Sequence, residues 1–170
     1  FEEFIRSTKG NTPTVSRQRH TISTAYEGQT LQDIVDTFNT RIADSAQADA
    51  PLKPRAVAYL VGPEDYSAGT AGISAFKANL KVLALRDGNG FAVIQTPYAT
   101  NDAEANTKIE AYVEAVDQVV QDPDFADRIG YIVVVDHYEQ TKDNDDFKAT
   151  LNADGYPNGK GHLELGRQLV

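Results

Sequence analysis

The chain has 170 residues, which suits one domain, and 41% of them are apolar against 24% charged, the balance of an ordinary globular protein and not of a disordered one. Sixteen Lys plus Arg against 25 Asp plus Glu give a formal charge of −9, which repels phosphate backbones and anionic headgroups, so neither nucleic acid nor membrane insertion is expected. With no Cys there is no disulfide framework or thiolate metal site, and no apolar run approaches the ~20 residues of a membrane span.

In chain order, "QRHTISTAY" at 18 to 26 is rich in β-formers and ends at Glu27-Gly28, which predicts a strand entering a tight turn. Leu31, Ile34, Val35, Phe38 and Ile42 then recur at helical spacing, with Thr30 as N-cap and Asp33 three residues on, predicting a helix over 30 to 43. "ADSAQADAPLKP" is small, polar and Pro-punctuated, a surface connection. "RAVAYLVG" predicts a buried strand over 55 to 61 that runs into the loop "PEDYSAGTAG". Ile73, Phe76, Leu80 and Leu83 mark a helix over 72 to 85, and "FAVIQTP" predicts a strand over 91 to 96 ended by Pro97. Ile109, Tyr112, Val113, Val116, Val119 and Val120 make the apolar face of a helix over 103 to 121. "YIVVVDHY" predicts a strand over 131 to 136, the acidic loop "KDNDD" follows as an exposed segment, and Leu163, Leu165 and Leu169 mark a last helix over 160 to 170.

Short, continuously apolar strands alternating with amphipathic helices imply an α/β fold: a doubly wound, flavodoxin-like, mainly parallel sheet with helices on both faces. Val57, Tyr59, Val61, Val93, Ile132 and Val134 are expected on buried strand faces. Residues 1 to 170 read as a single domain, and since the chain starts at Phe1 and not Met, an upstream segment carrying the first strand is expected to be missing, or that strand to be degenerate. Ligands of such folds bind outside the C-terminal strand ends, so the loops at Gly28, at "GPED" and after Asp136 are where a site is expected.

Five stretches in this order, "AYEGQTLQDIVDTF", "AYLVGPEDYSAGTAGISAFKANL", "FAVIQTP", "VVVDHY" and "DGYPNGKGHLELGR", resemble the blocks of the SGNH (GDSL-like) hydrolase family, including its carbohydrate-acetylesterase branch, over residues 18 to 170. The family places a nucleophilic Ser in Gly-Asp-Ser after its first strand, a Gly after the second, Gly-x-Asn-Asp after the third and Asp-x-x-His before the last helix. The resemblance implies Gly28 as a backbone N–H donor to an oxyanion, with Gly62 and Asp65 kept from the third block. Where the family's Asn donates its amide, this chain has Glu64, which when ionised only accepts hydrogen bonds and repels developing negative charge. In the last block, counting forward from Asp154 puts Pro157 at the base position and counting back from "PNGKGH" puts Tyr156 there; neither is His. Ser7 in "FIRSTKG" is the one serine near the nucleophile position, without the preceding Gly-Asp and only 21 positions before Gly28.

The three histidines are scattered, without the paired spacing of a zinc site, and no metal or cofactor is expected. His137, beside Asp136 at a strand's end, can meet a site and relay protons near neutral pH, whereas His20 reads as structural and His162 as capping or packing at the start of the last helix. Glu64 and Asp65 form a carboxylate pair able to hold a cation or a sugar hydroxyl, or simply a solvated loop, and "DNDDF" lacks the Gly and bidentate Glu of a calcium loop. The missing base and amide point to a non-catalytic SGNH-like domain, a binding or structural module with a glycan or protein partner in a larger extracellular or virion assembly. The alternative is an active serine ester hydrolase, a carbohydrate deacetylase or esterase that recruits His137 or His162 beside Ser7 and Asp154. An unrelated flavodoxin-like module is the third reading.

Overall fold

Three runs of small and β-branched residues form strands β1 (Val57–Leu60), β2 (Ala92–Gln95) and β3 (Ile132–Val135), which pair in parallel in the order β1-β2-β3. The computed structural model describes residues 28–45, 57–84, 92–124, 132–153 and 155–167; the strand expected over 18 to 26 lies outside them. The long helices are α1 (Leu31–Ser45), α3 (Ile73–Ala84) and α4 (Ala103–Val120), with short α2 (Pro63–Ser67) after β1. Two further short helices, α5 (His137–Thr141) and α6 (Asp145–Lys148), follow β3, and α7 (Gly159–Arg167) comes last.

Local chemistry sets where these helices begin. Thr30 and Asp33 close a capping box before α1: the Thr30 N–H and hydroxyl both donate to Asp33 Oδ2, at 2.9 and 2.7 Å, and the Asp33 N–H returns to Thr30 Oγ1 at 3.3 Å. Asp102 caps α4, accepting from the N–H groups of Glu104 and Ala105. The "DNDDF" stretch forms α6, with Asn144 as its cap accepting from the Phe147 N–H at 2.9 Å, and Phe147 buries its ring.

Register explains the core. Tyr59, Ile94 and Val134 align across the sheet, and this face packs against α1, α3 and α4 through Leu31, Phe76, Leu80, Leu83, Tyr112, Val116 and Val119, all buried. Helix α3 lies between α1 and α4 and touches both. Tyr59 and Val61 are buried as expected, while Ile132 and Val134 are half-buried and packed against this core; the Val57 side chain lies outside the description. Val93 is half-buried because it aligns with Ala58 and Val133 on the opposite face, where Ala58, Leu60 and Val133 meet solvent among the described residues. Lys81 near the end of α3 reaches Asp122 at 2.6 Å and Asp124 at 3.2 Å, tying α3 to the turn that follows α4. Among the described residues no helix is long and apolar enough to cross a membrane.

Candidate active site

The carboxyl end of β1 faces the turn that precedes α1, and one buried carboxylate joins them. Gly28 adopts φ +78, a left-handed conformation that glycine takes without strain, and Leu31 begins α1 three residues later. The Leu31 N–H, left without an intrahelical partner in the first turn, donates to Asp65 Oδ1 at 2.9 Å, a bond from the loop after β1 across 34 residues of sequence. Asp65 is itself in the first turn of α2, its own N–H donating to the Gly62 carbonyl at 3.1 Å. Burial raises the Asp65 carboxyl above its ordinary value; the bonds from Leu31 and Gly62 oppose this, and the charges of Glu64 and Asp33 add to it. Asp65 is therefore a strut between two loops through the Leu31 N–H, beyond the carboxylate pair with Glu64 that its sequence position suggests. Gly62 has ordinary extended torsions, and the Glu64 side chain folds back over it, since a Cβ at position 62 would lie 3.1 Å from Glu64 Oε2.

Two tyrosines follow the carboxyl ends of adjacent strands, and a third stands before the last helix. Tyr66 sits in α2 after β1, Tyr98 follows β2 by three residues, and Tyr156 precedes α7. Burial, then the nearby Tyr66 and Tyr156, push Tyr98 up to about 12. Tyr66 is raised first by burial, then by the charge of Glu64 and by Tyr156.

The last block folds as a compact turn. Leu151 and Pro157 form an isolated antiparallel bridge, Gly155 takes φ +82, and Asn158 caps α7 by accepting from the N–H groups of Lys160 and Gly161 at 2.9 and 3.2 Å. Gly161 lies so close to its neighbours that a Cβ there would stand 2.3 Å from Thr150 Oγ1 and 2.6 Å from Pro157 Cβ. Of the two residues that fall at the base position, Pro157 is buried in this packing and Tyr156 is 45% exposed.

The histidines divide differently from the sequence expectation. His137 opens α5 with its ring only 2% exposed, Nε2 lying 3.1 Å from Gln95 Oε1, so that the helix start turns the imidazole inward. Asn158 provides the cap of α7, and His162 is exposed in that helix's first turn. Ser7, His20 and Asp154 lie outside the described residues. Among the described residues, no group of three or more His, Asp or Glu side chains is arranged to hold a metal ion. Sequence reasoning missed the bond from Leu31 to Asp65, whose partners lie 34 positions apart.

No family model matches the chain, and no curated protein matches its sequence. Solved structures do match. The lipase/acylhydrolase from Enterococcus faecalis superposes with a TM-score of 0.63 at 20% identity, covering 84% of this chain and 69% of that one. An acetylxylan esterase from Geobacillus stearothermophilus gives 0.63 at 17% identity, covering 84% of this chain and 66% of its own. The fold is that of an SGNH-type hydrolase. This chain spans about two thirds of the length of those esterases, and at such identity the likeness establishes architecture. Matched structures of the Geobacillus enzyme include catalytic mutants in which a serine, an aspartate and a histidine are each changed to alanine, the last two being three positions apart.

Proposed function

We propose that this domain is a serine ester hydrolase that cleaves small acyl esters at the carboxyl ends of β1 and β2. The observation that carries the reading is the superposition, over 84% of the chain, on a lipase/acylhydrolase and an acetylxylan esterase. In this reading Ser7 is the nucleophile, its hydroxyl proton passes to a histidine as the Ser oxygen attacks the ester carbonyl, and backbone N–H groups at Gly28 and Gly62 receive the oxyanion. Asp65 serves by holding those two loops together through the Leu31 N–H. Exposed His162, in the same block as Asp154, is the better supported base; His137 takes that role only by leaving its enclosed position beside Gln95.

The non-catalytic reading draws on a specific observation as well. The Geobacillus esterase's catalytic aspartate and histidine are three positions apart, and three positions after Asp154 this chain has buried Pro157, which holds no proton. Glu64 in place of an amide argues in the same direction. Hydrolysis of p-nitrophenyl acetate decides between them. The hydrolase reading expects turnover above the buffer rate that falls by roughly 10²-fold or more in Ser7→Ala and in His162→Ala. No turnover of that ester or of acetylated xylo-oligosaccharides would leave the binding module standing.

A further inference from the structure

At the carboxyl end of β1 one carboxylate stands over the backbone without a partner. Tyr59 and Val61 turn into the core, while Leu60 between them is 55% exposed, so a side chain at position 62 would point outward with Leu60. Gly62 has none, and the half-buried Glu64 fills the place: its Oε2 would lie 3.1 Å from a Cβ built there. The carboxylate is therefore on the outer side of the residue whose N–H receives the oxyanion in the hydrolase reading.

The acids around it are engaged, and Glu64 is not. Asp65 accepts from the Leu31 N–H at 2.9 Å, and Asp33 accepts from the Thr30 hydroxyl at 2.7 Å. The ion pairs among the described residues join Lys81, Lys108, Lys142 and Arg167 to other acids, so no cation there neutralises Glu64. Its carboxylate has no hydrogen-bond partner among them either; the Ser67 hydroxyl donates to its main-chain carbonyl, at 3.0 Å.

A charge so placed discriminates between substrates, because specificity can come from a repulsive element as well as from an attractive one. An ionised Glu64 opposes the negative charge that develops on the carbonyl oxygen of a neutral ester, and it repels an anionic acyl group outright. A substrate that carries a cation removes this opposition by pairing with it. Reach decides where that cation must be. Glu64 lies beside Gly62, so the cation belongs within a bond or two of the carbonyl carbon whose oxygen Gly62 receives. The ammonium of an α-aminoacyl ester stands there, whereas a choline ester sets its charge at the far end of the alcohol. We propose that Glu64 is a specificity-determining residue that selects esters with an α-ammonium on the acyl group. The inference rests on the hydrolase reading and names its substrate class. Water cleaves the acyl–oxygen bond, leaving an amino acid and an alcohol, and Glu64 holds the ammonium without taking a proton from it.

Glycine ethyl ester, ethyl propionate and monoethyl malonate test it, since they are alike in shape and differ in carrying a positive, no or a negative charge beside the same carbonyl. Hydrolysis is followed by pH-stat at about pH 6.5, where an α-amino group of ordinary pKa is charged. Glu64→Gln keeps the size of a side chain that the fold does not bond, so the variant is expected to fold as the wild type does. The quantity read is kcat/KM for the glycine ester over that for the propionate, compared between wild type and Glu64→Gln so that the esters' own reactivities cancel. The ratio is expected to fall about tenfold in the variant, the effect of losing one charged hydrogen bond, with the propionate gaining and the glycine ester losing. The malonate is expected to gain more than the propionate. Turnover with an unchanged ratio, or a malonate that gains no more than the propionate, overturns the specificity and keeps the hydrolase reading. Absence of turnover of these esters and of p-nitrophenyl acetate, in wild type and variant alike, removes both.

Discussion

The joint between Gly28–Leu31 and Gly62–Asp65 closes through one buried carboxylate, whereas the turn from Thr150 to Gly161 closes through packing and short-range bonds. At the first joint a single acceptor satisfies a helix N–H from a distant loop, so its strength depends on the charge and shape of Asp65. At the second, Phe147 is buried, Pro157 is buried and Gly161 lies against both Thr150 and Pro157, so its strength depends on volume. Two loops that flank the same sheet end therefore respond to different perturbations, one to pH and polarity, the other to size.

The packed turn should suffer most. Phe147→Ala removes a 2%-exposed ring under α6 and is expected to cost about 3–5 kcal/mol by lost transfer energy plus cavity, read from urea denaturation. A loss below about 1 kcal/mol would show that this turn is held by its hydrogen bonds instead. The ionic joint comes next. Asp65→Ala leaves the buried Leu31 N–H without a partner and is expected to cost about 1–3 kcal/mol, whereas Asp65→Asn keeps the acceptor and sheds the buried charge, retaining wild-type stability or exceeding it at pH 7. Equal losses in both variants would mean that the charge itself, and not the bond, holds the loops.

The smallest effect is the pH slope. The Asp65 carboxyl titrates above its ordinary value of 3.8, so its contribution favours the folded state fully below that value and is lost as pH rises through the raised one. The stability difference between wild type and Asp65→Asn should accordingly widen in favour of the Asn variant from pH 4 towards neutrality, as measured by paired thermal melts. A difference that stays flat across that range would place the true titration at the ordinary value.

The strands at 57–60, 92–95 and 132–135 and the four longer helices were legible because unbroken apolar runs and a 3.6-residue repeat each carry many residues of signal. Helices α2, α5 and α6 were not, since four or five residues hold little more than one turn and show no period; the Asp136 and Asn144 caps were their visible marks. The strut made by Asp65 was hidden for another reason, its partner Leu31 being 34 positions away. His137 looked site-facing because it ends a strand, yet beginning a helix there rotates its ring onto Gln95. The likeness to SGNH hydrolases was readable from the order of blocks. That Tyr66 and Tyr98 share one end of the sheet required knowing that β1 and β2 are neighbours.

The parallel register has a kinetic consequence. Val57 pairs with Ala92, and Ala92 with Ile132, so adjacent strands stand 35 and 40 positions apart along the chain. No ladder among the described strands can zip from a local turn, and each must wait until a long loop has closed against chain entropy. Helices α3 and α4 are the local structure that draws the strand ends together, so their apolar faces are expected in the folding nucleus. Substituting Leu80 or Val116 should then slow folding as well as speed unfolding, which a chevron plot of each variant measures.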